Sequence, residues 1–330
     1  MFYGKCMVVM AALSFVGANG NTWAQPAKAD AAAGYPHRPI RLVVPVPPGG
    51  SSDGMARILG QKLTDKWGQQ VLIDNRAGAA EVIGTDIVAK ASPDGQTLLF
   101  ASLRFSVNPS LLKLPYDTLR DFAPVTMTAA VGNVLVVNVK SPITSVKDLI
   151  ALAKQKPGEL TFASSGLGGA PHLIGEFFAL TTGIKMTHVA YKGGGPAVSD
   201  LLGANVSMSF ASMTSSLQFV RAGRLRALAV SSKERSAQLP DVPTMAEAGV
   251  PNIVVRDWQG LVAPRGTPKP IIDKLAGETR RILRDPANQE RFATLGLDII
   301  ASTPEEFGAA IKSEIERWAK VVKDANIKAE

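Results

Sequence analysis

The sequence predicts an α/β fold in two lobes with a ligand cleft between them. Two observations carry that expectation. Strand-like and helix-like segments alternate along most of the 330 residues, the pattern of sheets covered by helices. A strand, a glycine-rich loop and a helix start follow one another twice, once after residue 46 and again after residue 163. A chain of this length has ample surface to bury and suggests two domains.

The first segment sets the compartment. Residues 1–23 carry one charge, Lys5, then the apolar run Met7 to Val16, then small and polar residues. That is the pattern of a secretory signal, too short and too weakly flanked for a membrane span. Thr22-Trp23-Ala24 resembles a cleavage site, so the expected signal is 1–24 with a mature start near Gln25; Ala27 and Ala29 are the other candidate starts. The alanine-rich stretch 25–34 reads as a disordered leader. Cys6 is the only cysteine, in a poor lipobox. Cleavage leaves an exported chain with no disulfide to form, so its stability must come from a core. The formal charge of +8 is spread without a Lys/Arg block, and aromatic residues make up 6%. This is not the basic, aromatic-lined surface of a nucleic-acid binder. No later apolar run is long enough to span a membrane.

The apolar run Ile40 to Val46 reads as a buried strand. Pro47-Pro48-Gly49-Gly50 stops it. Ser51, Ser52 and Asp53 are three possible helix caps, and Met55, Ile58, Leu59, Leu63 and Trp67 follow at helical spacing. The first N–H groups of a helix lack internal partners and carry partial positive charge. Glycines there leave room for an anion to reach them; the bland reading is an ordinary turn capped by Asp53. Gln70 to Asn75 reads as a second strand, Ala79 to Lys90 as a helix, Ser92 to Gly95 as a turn and Thr97 to Ala101 as a third strand. This β-α-β-α-β order predicts a parallel sheet with right-handed crossovers. Ligands of such sheets bind beyond the carboxyl ends of the strands, which puts Pro47 to Asp53, Asn75 to Ala79 and Ser102 to Ser106 on one rim.

A second series begins with a strand over Val134 to Val139 and a helix capped by Ser145. After the break at Pro157-Gly158, Leu160 to Ala163 is a strand, Ser164 to Pro171 a small-residue loop, and the helix behind it carries His172, Leu173, Phe177 and Leu180. Strands over Thr187 to Ala190, Val206 to Phe210 and Leu225 to Val230 alternate with helices over Pro196 to Leu202 and Ser215 to Ala222. The tail reads as helical: Pro268 to Leu283, then Thr303-Pro-Glu-Glu306 as a capping box with proline at the first helical position. The stripe Phe307, Ile311, Ile315, Trp318, Val322 reads as core packing.

Several strings together carry a resemblance. Val44 to Arg57, Asn75-Arg-Ala-Gly78, Ser92-Pro-Asp-Gly95, Asp121-Phe-Ala-Pro-Val125, Ala163-Ser-Ser-Gly, His172-Leu173, Tyr191-Lys-Gly193, Leu239 to Thr244, Glu247-Ala-Gly249 and Trp258-Gln-Gly260 resemble, in order, the Bug-type substrate-binding proteins of tripartite tricarboxylate transporters. The resemblance runs from about Tyr35 to the C-terminus. It implies a periplasmic two-lobed binding-protein fold of class II type, crossed twice by the chain near 129–132 and 255–259. Lobe one would hold 35–130 and 256–330, lobe two 131–255. It implies a monomer that captures a small carboxylate (a di- or tricarboxylate, an aromatic or an amino acid) and delivers it to the membrane subunits of the transporter, with no cofactor, no metal and no catalytic residue.

The same resemblance assigns ligand contacts, through main-chain groups and waters, to the two glycine loops already singled out: Pro47, Pro48, Gly49, Gly50, Ser52 and Asp53 in one lobe, and Ser164, Ser165, Gly166, Gly168, Gly169 and Ala170 in the other. Ser102, Arg104, His172, Tyr191 and Ser212 complete the expected set. Two departures stand out. Ala80 and Glu81 occupy positions where the family usually has glycine, and Glu81 could repel an anion or face solvent. Arg104 is not a family signature; it could pair with a distal carboxylate or be a solvated surface residue. His172 could donate to a ligand or pin its loop, and Tyr191 could line the cleft or simply pack.

Two other functions compete. A periplasmic sensor would use the same cleft and pass its signal to a membrane partner. An exported hydrolase could be imagined from Ser164 or Ser165, His172 and an aspartate, but no Gly-x-Ser-x-Gly elbow is expected and a triad is recognised by geometry. A metal enzyme would have to use His37, His172 and His188 without a His-Glu-x-x-His pair.

Overall fold

The computed structural model describes residues 32–255, 257–294, 296–324 and 327, together with Met1 and Gly4. The expected signal segment and most of the expected leader thus lie outside the described residues. In chain order the strands are β1 (Ile40–Val44), β2 (Val71–Asn75), β3 (Thr97–Ser102), β4 (Phe122–Val131), β5 (Asn133–Asn138), β6 (Thr161–Ser164), β7 (Thr187–Ala190), β8 (Met208–Ser212), β9 (Leu225–Val230), β10 (Asp257–Pro264) and β11 (Leu297–Ile299). They form two sheets, ordered β11-β4-β10-β3-β1-β2 and β7-β6-β8-β5-β9. Only Gly132 separates the last strand of the first sheet from the first strand of the second, and the chain returns between Val255 and Asp257. The result is two α/β lobes joined by two crossings.

The expected parallel arrangement holds for β2-β1-β3 and for β7-β6-β8. Beyond those strands both sheets are mixed. The returning strand β10 inserts antiparallel between β3 and β4, and β5 runs antiparallel to both β8 and β9. β1 is buried along nearly its whole length, as a strand covered on both faces should be, whereas β2 at the edge exposes Leu72.

The helices of the first lobe that frame the cleft are α1 (Ser51–Trp67), α2 (Val82–Ala89) and α3 (Arg104–Leu111). Met55, Leu59 and Leu63 of α1 pack on Ile40, Leu42 and Val44 of β1. The helix ends at Gly68, a left-handed residue whose N–H returns to Thr64 O at 2.9 Å, the usual glycine stop. The second lobe contributes α4 (Val146–Gln155), α5 (Ala170–Thr182), α6 (Gly194–Leu202) and α7 (Met213–Arg221). Ser145 caps α4 by accepting the Asp148 N–H at 3.1 Å. The tail supplies α8 (Lys269–Arg284), α9 (Pro286–Thr294) and α10 (Pro304–Asp324). The capping box of α10 is present in both directions, Thr303 N–H to Glu306 Oε2 at 2.8 Å and Glu306 N–H to Thr303 Oγ1 at 3.1 Å.

One helix differs from its sequence reading in a way that shapes the site. Residues 79–90 do not form one helix. Ala79, Ala80 and Glu81 have φ of 45°, 50° and 77°, and α2 begins only after them. Left-handed backbone costs an L-residue roughly 1–2 kcal/mol, so three in succession persist only because the surroundings hold them.

Candidate functional site

The opening loop is a solvent-exposed turn into an uncapped helix. Pro47, Pro48, Gly49 and Gly50 are exposed. Gly49 has φ 94°, while Gly50 is the extended N-cap of α1 at φ −85°, ψ 175°. No side chain caps this helix, so none of the three expected caps acts in that role. Asp53 instead reaches back and accepts the Gly49 N–H at 3.0 Å. It also holds Arg57 at 3.0 Å and Asn75 Nδ2 at 2.9 Å, and Asn75 in turn donates to Val46 O. Burial pushes the Asp53 carboxyl up, but hydrogen bonds from Arg57, Gly49 and Asn75 outweigh it and hold the group below its ordinary range. Asp53 is buried, saturated with donors and serves to fix the loop. Ser52 is buried beside it. Gln259 on β10 donates to Ser51 Oγ at 2.9 Å, and its buried Oε1 has no partner.

Three main-chain donors of the second loop are committed within it. The Gly166 N–H goes to Ser164 Oγ at 3.1 Å, the Gly168 N–H to His172 Nδ1 at 3.2 Å and the Gly169 N–H to Gly166 O at 3.3 Å. Pro171 has none. What remains for a ligand is the main chain around Leu167 and Ala170, at the start of α5, whose N-cap Gly169 again brings no side-chain cap. His172 therefore pins its loop. It is 3% exposed, and burial, then the neighbouring His188 and Arg104, lower it to about 3; it is neutral, with Nδ1 the acceptor. Ser164 is fully buried, its hydroxyl 2.7 Å from His188 Nε2, and the two imidazole rings stand 4.2 Å apart. Their side chains build the wall of the loop.

Between the two loops lies a buried ion pair. Glu81 is 5% exposed at its side chain and accepts from Ser102 Oγ at 2.7 Å and from Arg104 Nη1 at 3.1 Å. It does not face solvent. Arg104, at the first position of α3, is not a surface residue either. It donates from Nε to Leu167 O at 3.0 Å, and from Nη2 to Ser165 O and Gly166 O at 3.2 Å each. These carbonyls belong to the other lobe. Burial pushes Glu81 up against the pull of Arg104 and Ser102. Asp257, at the second crossing, keeps part of its surface open, yet desolvation raises its carboxyl to about 7, with Arg104 opposing and Glu81 adding. Sequence reasoning named Arg104 and flagged Glu81, but nothing in the string shows that they meet.

Of the remaining expected residues, Tyr191 donates to Asp200 at 2.5 Å and is raised to about 12 by burial and by that carboxylate. Ser212 sits at the N-cap of α7, its hydroxyl 2.9 Å from Ser215 Oγ. The expected absence of a Gly-x-Ser-x-Gly elbow is wrong: Gly50-Ser51-Ser52-Asp53-Gly54 has that spacing on a strand–turn–helix. Among the described residues Ser52 makes no hydrogen bond to a histidine, and Asp53 is committed to Gly49, Arg57 and Asn75. No group of three or more His, Cys, Asp or Glu poised for a metal occurs among the described residues.

Residues 55–327 match the family described as tripartite tricarboxylate transporter family receptor. The chain is 45% identical over 308 residues to protein BugT of Bordetella pertussis, covering 92% of this chain and 94% of that protein. Among solved structures it is similar to R. palustris Rpa4515 with adipate, at 36% identity and TM-score 0.85 over 89% of this chain and 99% of the other. It is also similar to MatC from Rhodopseudomonas palustris with bound malate, at 29% identity and TM-score 0.81 over 87% and 100%.

Proposed function

The chain belongs to the tripartite tricarboxylate transporter receptor family, and from that premise we propose that it captures a small organic carboxylate between its lobes outside the cytoplasm and delivers it to the membrane subunits of such a transporter. The observation that carries the reading is the pair of helix starts at Gly50 and Gly169. Both lack a side-chain cap, and both leave main-chain donors at the positive end of a helix. Backbone donors suit a carboxylate, and they read its charge and shape with little regard for the rest of the molecule. The ligand set is Pro47 to Asp53 and Ser164 to Ala170, with Ser102, His172, Tyr191 and Ser212 holding the walls. The lobes divide as 35–130 with 256–330, and 131–255. The relatives' ligands, adipate in one structure and malate in another, set the first compounds to try.

A thermal-shift screen of adipate, malate, tricarboxylates, aromatic acids and amino acids tests this. A compound that binds only the folded protein raises its melting temperature by mass action. A stabilising acid recovered chemically unchanged after incubation supports binding without catalysis. No stabilisation by any acid across the panel would sink the proposal. Light scattering on the same samples tests the expected monomer.

A further inference from the structure

Resting on that reading of the cleft, we infer that the Glu81–Arg104 pair is a built-in latch between the lobes, which holds the cleft closed and sets the polarity of the second glycine loop before any ligand arrives. The contacts are between protein groups alone. Arg104 stands on the first lobe, and three of its hydrogen bonds end on consecutive carbonyls of the second, Ser165, Gly166 and Leu167. A guanidinium presents five donors in a rigid fork, and four are engaged here once Glu81 is counted. Pulling three carbonyls toward the cation turns those oxygens away from an anion site; of the N–H groups that follow them, those of Gly166 and Gly168 are held by Ser164 and His172, which leaves the Leu167 N–H for the cleft. Arg104 is thus a positioning residue that acts through the loop.

Three features show that the fold is arranged around this contact. Glu81 meets Arg104 from the end of a run of three left-handed residues, 79–81, and Asn108 Nδ2 secures that turn at Ala80 O, at 2.8 Å. Ser102 supplies the second hydrogen bond to Glu81, so the carboxylate is oriented from both sides. The loop is thinned where the guanidinium lies: a Cβ at Gly169 would stand 2.6 Å from Arg104 Nη2, and one at Gly166 would stand 3.4 Å away. A desolvated, charge-assisted contact of this kind is stronger than a surface ion pair and little screened by salt.

The test measures lobe separation with no acid present. Spin labels at Asp65→Cys and Lys154→Cys, both exposed positions on α1 and α4, in a Cys6→Ser background report one inter-lobe distance. The parent is expected to show a short, narrow distance distribution at both low and high salt. Arg104→Met should move most of the population to longer distances. Gly169→Ala should do the same with both charges kept, since Gly169 has φ −75°, which alanine adopts freely, and its methyl group would push the Arg104 guanidinium off the loop carbonyls. Circular dichroism confirms that each variant is folded. Folded Arg104→Met and Gly169→Ala proteins with the parent's distribution would overturn the latch, as would a parent that is already open. Loss of affinity for adipate in Arg104→Met with unchanged distances would assign Arg104 to the ligand instead. None of these distances depends on whether an acid binds, so the latch and the proposed function fail separately.

Discussion

The Asp53 carboxylate accepts the backbone N–H of Gly49 at 3.0 Å, against the direction of the chain. One side chain inside the first turn thereby fixes the loop that precedes it, and leaves the first amides of α1 without a side-chain cap. Asp53→Ala should cost about 1–3 kcal/mol, the range for removing a charged hydrogen-bond acceptor from its donors, while Asp53→Asn, which keeps an acceptor, should cost less. Because Asp53 is held below its unfolded value, its contribution is fully present above about pH 4 and is lost as the pH falls through the folded value. Urea titrations of parent and variants at pH 7 and pH 3 check this: the gap between Asp53→Ala and parent should narrow at the lower pH.

Ala80 sits at φ 50°, ψ 46°, a conformation glycine adopts without a steric penalty. Ala80→Gly keeps the carbonyl that Asn108 holds and removes the clash of a Cβ in left-handed backbone. The gain is offset in part by the entropy glycine brings to the unfolded chain. A net stabilisation of up to about 1 kcal/mol follows, read as a melting temperature raised by a few degrees. A lowered melting temperature would show that the alanine methyl group packs productively.

His172 is a base kept neutral where Asp53 is an acid kept charged, and its pH prediction runs in the same direction. The unfolded chain takes up this proton near 6.5 and the folded protein only near 3. Between those values the unfolded state binds more protons, so stability rises with pH there, by about 1.4 kcal/mol per unit from this group alone. His172→Gln, which can still accept the Gly168 N–H, should flatten the stability profile between pH 4 and 6. An unchanged slope would mean that other groups dominate this window.

Much of the frame was legible because proline and glycine punctuate it. The starts of α1 and α5 behind their glycine loops, the cap of α4 and the box at Thr303 follow from local chemistry, and the structure has each of them. The misses have physical causes. β4 contains Pro124, and β10 carries register shifts on both sides of Gly260-Leu261, so neither shows clean alternation. Gly260 looks like a strand breaker, yet a Cβ there would stand 2.5 Å from the Phe307 ring; helix packing requires the glycine. α3 carries an internal proline, Pro109. The return of the tail to the first sheet came from resemblance, since no periodicity encodes which sheet a strand joins. The Arg104–Leu167 contact spans 63 residues and two lobes, beyond any local pattern. Left-handed backbone at Ala79, Ala80 and Glu81 was invisible for the same reason that it is strained: those residue types give no sign of it.

The last prediction addresses the anion site itself. Main-chain donors cannot be removed by shortening a side chain, so the loop must be blocked. Gly50 is suited to this. It is extended, at φ −85° and ψ 175°, and a Cβ built on it meets nothing within 4 Å. Valine therefore enters without strain and projects a branched side chain into the open space before the first turn of α1. Gly49 is the wrong choice, since its φ of 94° would strain any other residue and confound blocking with unfolding. Gly50→Val should keep the unfolding free energy within about 1 kcal/mol of the parent's, the scale of exchanging a favoured N-cap residue, and should abolish the stabilisation given by whichever acid the screen finds. Asp53→Asn, measured beside it, should weaken that acid only modestly, because it loosens the loop without filling it. The comparison separates blocking from disorder: a folded Gly50→Val protein that binds its acid as tightly as the parent would place the carboxylate away from the start of α1.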